Sequence, residues 1–178
     1  MKFVKETGLA FALVTSGVTA AMVNQVYSAH QTTRVYLMRG LGELSPFGRL
    51  EASLRAKGAV VSNWSWLSRE WVVSDALQHP KDKIVIAGHS MGALEAFTAS
   101  EELKARGLRV TTIGLDPLCT WPRATKGLVQ YNIWGSWCWG QVHLVPGAHN
   151  INVPSTYGHI GYPADPKVIA TFVQKAFQ

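Results

Sequence analysis

Three residue types in this sequence could do chemistry together: a serine, then an aspartate, then a histidine. The serine is Ser90, inside Gly88-His89-Ser90-Met91-Gly92. The run before it, 83–87, is apolar and β-branched and reads as a buried parallel strand. The run after it, 93–104, is rich in helix formers and carries an apolar face. G-x-S-x-G between a strand and a helix puts the serine on a sharp turn with its hydroxyl aimed out of the sheet. Cβ atoms at Gly88 and Gly92 would run into the neighbouring helix and strand, so both positions need glycine. The helix behind Ser90 points its N-terminal partial charge at the place where an oxyanion would form. The plainer alternative is a Gly-rich turn whose serine only caps the helix.

A serine nucleophile needs a base, and imidazole suits that task near neutral pH. His149 and His159 both lie downstream in one stretch, 146–163, and His143 falls within an expected strand. His159 leads directly into the last helix and is the preferred base, with His149 as the alternative. His89, inside the pentapeptide, is read as packing or hydrogen-bonding beside the nucleophile. Asp116 follows the apolar strand 108–115 and precedes Pro117, which stops the strand. A carboxylate at the C-terminal end of a parallel strand lies on the functional edge of an open α/β sheet. Asp116 is therefore the candidate partner of the histidine. The alternative is a turn-initiating Asx residue.

The elements that must carry these residues alternate in type. Strands are expected at 33–38, 59–63, 83–87, 108–115, 128–134 and 141–145. Helices are expected from Ser45-Pro46 to Lys57, over about 68–78, over 93–104, and from Lys167 to about Phe177 behind an Asp165-Pro166 cap. The Gly-bearing loop after the first strand, Arg39-Gly40-Leu41-Gly42, is positioned to supply a backbone oxyanion donor. Leu41 N–H is assigned to that role, with Gly40 as a close alternative, and Met91 N–H supplies the other. Trp134, Trp137 and Trp139 read as core or as the rim of an acyl pocket, with core favoured.

The order Ser90, Asp116, His159 resembles the α/β-hydrolase superfamily, and more narrowly its small lipase-like or thioesterase-like bacterial serine hydrolases. The matching pieces are VYLMRGLGELS from Val35, GHSMGA from Gly88, LDP at Leu115, the strand near Gln130, and the run from His159 through Asp165-Pro166 to Val168. The resemblance covers about residue 34 to the C-terminus. It implies a compact three-layer sandwich: a mostly parallel sheet of about six strands, helices on both faces and no lid domain. It also implies a carboxylic-ester hydrolase with a Ser90–His159–Asp116 triad and no cofactor. A thioesterase or acyltransferase would use the same triad. A non-catalytic, envelope-tethered binding module would keep the fold without it. One departure is visible: the usual His-Gly of the oxyanion loop is Arg39-Gly40 here.

Bulk properties narrow the setting. The 178 residues suffice for one domain with a sizeable core. The net charge of +6 comes without any Lys/Arg cluster interleaved with aromatics, so nucleic acid is not an expected partner. No metal-ligand or phosphate-loop spacing occurs. The expected partner is a small or lipid-like acyl ester. The segment 1–29 differs from the rest: Lys2 and Lys5 precede an uncharged stretch, 7–29, rich in small apolar residues. It reads first as a signal peptide, with an uncleaved membrane anchor and an N-terminal helix packed on the domain as equal alternatives. The first two make residues 30–178 an exported or membrane-tethered catalytic domain. Cys119 and Cys138 would then form a disulfide or remain as buried thiols.

Overall fold

The computed structural model describes residues 31–117, 124–135 and 144–178. Six strands form one parallel sheet in the order β2-β1-β3-β4-β5-β6. They are β1 Thr33–Met38, β2 Val60–Trp64, β3 Lys83–His89, β4 Val110–Leu115, β5 Val129–Trp134 and β6 His149–Asn152. The helices are α1 Gly48–Ala56, α2 Arg69–Leu77, α3 Met91–Ala105, α4 Gly158–Gly161 and α5 Pro166–Ala176.

Strand periodicity decides which helix covers which face. Successive side chains on a strand point to opposite sides, so a doubly buried strand needs apolar residues at every position. In β1, Val35 and Leu37 face one core while Tyr36 and Met38 face the other. In β3, Val85 and Ala87 join the first set, Ile84 and Ile86 the second. The first face is covered by Phe47, by Leu50 and Leu54 of α1, and by Val168, Phe172 and Ala176 of α5. The second is covered by Val72, Val73 and Ala76 of α2 and by Ala96, Ala99 and Leu103 of α3. The result is the expected three-layer α/β sandwich.

Two expectations change. Of the strand expected at 141–145 only Leu144 and Val145 are among the described residues, and neither is in a strand; β6 pairs His149–Asn152 with Tyr131–Trp134 of β5. His-Asn-Ile-Asn has only one apolar residue and so carries no strand signature in the sequence. At a sheet edge the pairing rests on backbone bonds and on Asn132 Nδ2 donating to Asn150 Oδ1 at 2.8 Å. Ser45 is also not the cap of α1, which begins at Gly48 with no side-chain cap. Its hydroxyl turns inward, as described below. Residues 1–29, Cys119, Cys138, Trp137, Trp139 and His143 lie outside the described residues. Among the described residues no helix is long and apolar enough to cross a membrane.

Candidate active site

Ser90 follows β3 and stands at the N-terminus of α3. Its backbone has φ +56° and ψ −121°, a region that non-glycine residues rarely adopt. Strand β3 has to turn into α3 within one residue, and Ser90 absorbs that turn. The turn is tight enough to exclude side chains on both flanks. A Cβ on Gly88 would lie 2.1 Å from Gly92 O, in the first turn of α3. One on Gly92 would lie 2.2 Å from Met38 O, at the end of β1. Ser90 N–H donates to Leu115 O at 3.1 Å, which ties the turn to the end of β4.

Asp116 is the next residue along that strand. It too has a positive φ, +42°, and its N–H donates to Ile133 O at 2.8 Å. Those bonds hold the carboxyl group at the C-terminal edge of the sheet beside Ser90. The side chain is 1 % exposed, so its charge requires a partner. That partner is His159, on the short α4, whose Nδ1 lies 2.7 Å from Asp116 Oδ2. An ionised carboxylate can only accept, so Nδ1 carries the proton and Nε2 is free to act as a base. Gly135 N–H approaches Asp116 Oδ1 at 3.5 Å. Ser90 and His159 are not hydrogen-bonded to each other. Such contacts often close only around bound substrate.

The alternative base does not come near. His149 pairs with Tyr131 at the β5–β6 edge and stacks on its ring at 5.2 Å. Strand β6 is three strands from β3, roughly 14 Å at the usual interstrand spacing.

The loop after β1 lies against Ser90. A Cβ built on Gly40 would lie 3.0 Å from both Ser90 Cβ and His89 O. Gly40 N–H is already engaged: it donates to Ser45 Oγ at 2.9 Å. Leu41 begins the following single-turn 3-10 helix, Leu41–Glu43. Arg39 Nη1 meets Glu43 Oε2 at 2.9 Å, so the residue in the usual histidine position clips the two ends of this loop together. At the other flank Met91 opens α3, where first-turn N–H groups lack intrahelical acceptors.

His89 and Ser45 complete the arrangement. His89 Nδ1 lies 2.8 Å from Ser45 Oγ, and Nε2 lies 2.9 Å from the backbone oxygen of His159. Its ring stands 4.7 Å from that of His159. Burial, then the charge that His159 can carry, lower the His89 pKa to about 4. Ser45 gave no signal beyond Ser-Pro, which reads equally as a helix start. Among the described residues, no group of three or more His, Cys, Asp or Glu side chains is placed to hold a metal ion.

No protein-family model matches this sequence, and no curated protein matches it. Solved structures do match. Human thioesterase 2 aligns at 15 % identity and TM-score 0.58, over 82 % of this chain and 95 % of that one. The RedJ thioesterase of prodiginine biosynthesis in Streptomyces coelicolor aligns at 12 % identity and TM-score 0.57, over 83 % and 91 %. A protein described as an α/β-superfamily hydrolase from Xanthomonas campestris aligns at 15 % identity and TM-score 0.52, over 80 % and 98 %. At these identities the likeness is one of fold: the chain has the α/β-hydrolase fold.

Proposed function

We propose that this chain, built on the α/β-hydrolase fold, is a serine hydrolase of carboxylic esters working through an acyl-enzyme. The observation that carries the reading is the buried Asp116 carboxylate held 2.7 Å from His159 Nδ1, beside a serine on a strained turn. In the first half-reaction Ser90 Oγ attacks the acyl carbon while His159 Nε2 takes its proton. Asp116 keeps the imidazole in the required tautomer and stabilises the imidazolium. The carbonyl oxygen becomes an oxyanion bound by the Met91 and Leu41 N–H groups. Leu41 is preferred to Gly40 because the Gly40 N–H is engaged by Ser45. One such donor is typically worth about 3–4 kcal/mol of barrier. Collapse expels the alcohol, which leaves with the proton from His159. Water, deprotonated by the same nitrogen, then releases the acid and restores Ser90.

Exposed Leu41, Leu44, Tyr157 and Ile160 flank the residues assigned to this chemistry and suit an apolar acyl or alcohol group. Thioesters fit the same steps, and an acyltransferase would replace water with another acceptor. Acceptor-dependent product formation separates these. The first 29 residues would carry the domain across a membrane as a cleaved signal peptide; a purified protein of full intact mass would leave an uncleaved anchor or an N-terminal helix.

The test is labelling with a fluorophosphonate probe, with site mapping, on wild type, Ser90→Ala and His159→Ala. Labelling at Ser90 that depends on His159 is expected. A folded wild-type protein that takes no label would remove the hydrolase reading and leave a non-catalytic binding module of the same fold.

A further inference from the structure

His89 occupies the variable position just before the nucleophile and is 3 % exposed. Its two ring nitrogens reach two segments far apart in sequence, 44 positions back to Ser45 and 70 positions on to His159. The direction of each hydrogen bond follows from chemistry. His159 O can only accept, so His89 Nε2 carries a proton and donates. In a neutral ring Nδ1 is then bare, so it accepts from the Ser45 hydroxyl. That leaves a Ser45 lone pair to accept the Gly40 N–H. Every donor is assigned, and the chain runs one way: Gly40 N–H to Ser45, Ser45 O–H to His89, His89 Nε2–H to the His159 carbonyl.

We infer that His89 is a positioning residue that couples the oxyanion loop to the segment carrying the base. This rests on the hydrolase reading above. Through Ser45 it holds the 39–40 peptide, and so anchors the start of the loop that carries the Leu41 N–H. Through the His159 carbonyl it holds the backbone of the base, whose own ring is tied to Asp116. One side chain therefore fixes two groups that must meet the same tetrahedral centre. Hydrogen-bonded side chains on different elements hold such geometry only if their own tautomer and rotamer are fixed. The ring is buried and its pKa is lowered to about 4, so it is neutral at neutral pH and the chain persists there.

The two ends can be separated by substitution. Gln reaches as far as Nε2 and can donate to the His159 carbonyl. Asn reaches as far as Nδ1 and can accept from Ser45. The experiment is steady-state hydrolysis of a short-chain p-nitrophenyl ester by wild type, His89→Ala, His89→Gln, His89→Asn, Ser45→Ala and the His89→Ala/Ser45→Ala double variant. Circular dichroism on each establishes folding. His89→Ala is expected to lower kcat by about 100-fold with KM changed less than about threefold, the pattern of lost transition-state alignment. Gln and Asn should each recover about tenfold. The double variant should be no slower than the slower single variant, since both substitutions break one chain. Multiplicative effects, or a folded His89→Ala with wild-type kcat, would overturn the inference. If His89→Ala does not fold, Gln, Asn and Ser45→Ala decide it: wild-type kcat in all three overturns it. A wild type that neither labels at Ser90 nor hydrolyses the ester removes the hydrolase reading instead.

Discussion

The imidazole of His159 meets the carboxylate of Asp116 at 2.7 Å across 43 positions of chain, with the aspartate 1 % exposed. Burial gives the pair its consequence. An isolated buried carboxylate would be costly, so the fold holds it against a proton on Nδ1. In the neutral ring that proton in turn leaves Nε2 with its lone pair. Asp116→Asn keeps the shape but can present an N–H where the acceptor stood, so it favours the opposite tautomer. We expect kcat to fall by about 10³–10⁴-fold with the fold intact, as measured by single-turnover release of p-nitrophenol. A loss below tenfold would remove Asp116 from the mechanism.

The turn at Ser90 leaves no room on either side. Gly88→Ala and Gly92→Ala would each set a methyl group little more than 2 Å from backbone that cannot retreat without moving α3 or β1. Each should cost more than about 3 kcal/mol and yield little folded protein. Gly40→Ala is milder, with contacts at 3.0 Å. It should fold, lose about tenfold or more in turnover and shift the melting temperature only slightly, because it displaces the loop against the nucleophile. Denaturant titration beside kinetics checks both halves.

His89 makes stability depend on pH. Its folded pKa lies near 4, below the usual 6.5, because burial and the neighbouring His159 charge oppose protonation. The unfolded chain binds this proton first, so the contribution is complete above about pH 6.5. It is lost progressively as the pH falls toward 4 and is constant below that. The loss should be on the order of 3 kcal/mol. Thermal melts of wild type and His89→Gln from pH 7 to pH 4 should differ in slope, and parallel curves would contradict this.

Asp165 caps α5. Its Oδ1 accepts the Lys167 N–H at 2.8 Å and its Oδ2 accepts the Ser155 hydroxyl at 2.6 Å. The Ser155 bond is the first cause of a carboxyl held below its ordinary pKa. The cap's charge-linked stability is therefore present above the unfolded pKa and lost as pH falls through the folded one. Asp165→Ala should cost about 1–2 kcal/mol, visible as a lower melting temperature at pH 7, with the Ser90 labelling rate little changed.

The sequence by itself determined the layered architecture and the strand-to-helix turn at Ser90. Alternating strands and helices with apolar runs in 33–38, 83–87 and 108–115 admit a buried parallel sheet and little else. Strand, G-x-S-x-G, helix is local, so its geometry is written in adjacent residues. The aspartate was legible because Asp-Pro ends a buried strand. What depends on distance through space was not legible. The sequence separates His159 from His149 only by its place ahead of the last helix; the tertiary structure puts His149 at the β5–β6 edge and His159 Nδ1 against Asp116. Strand β6 is polar because an edge strand is held by backbone pairing, which leaves little trace in composition. Ser45 read as a helix cap because Ser-Pro has that local meaning. Its bonds to Gly40 and His89 exist only once β1 and β3 lie side by side, and hydrogen bonds between distant segments leave no periodicity to read.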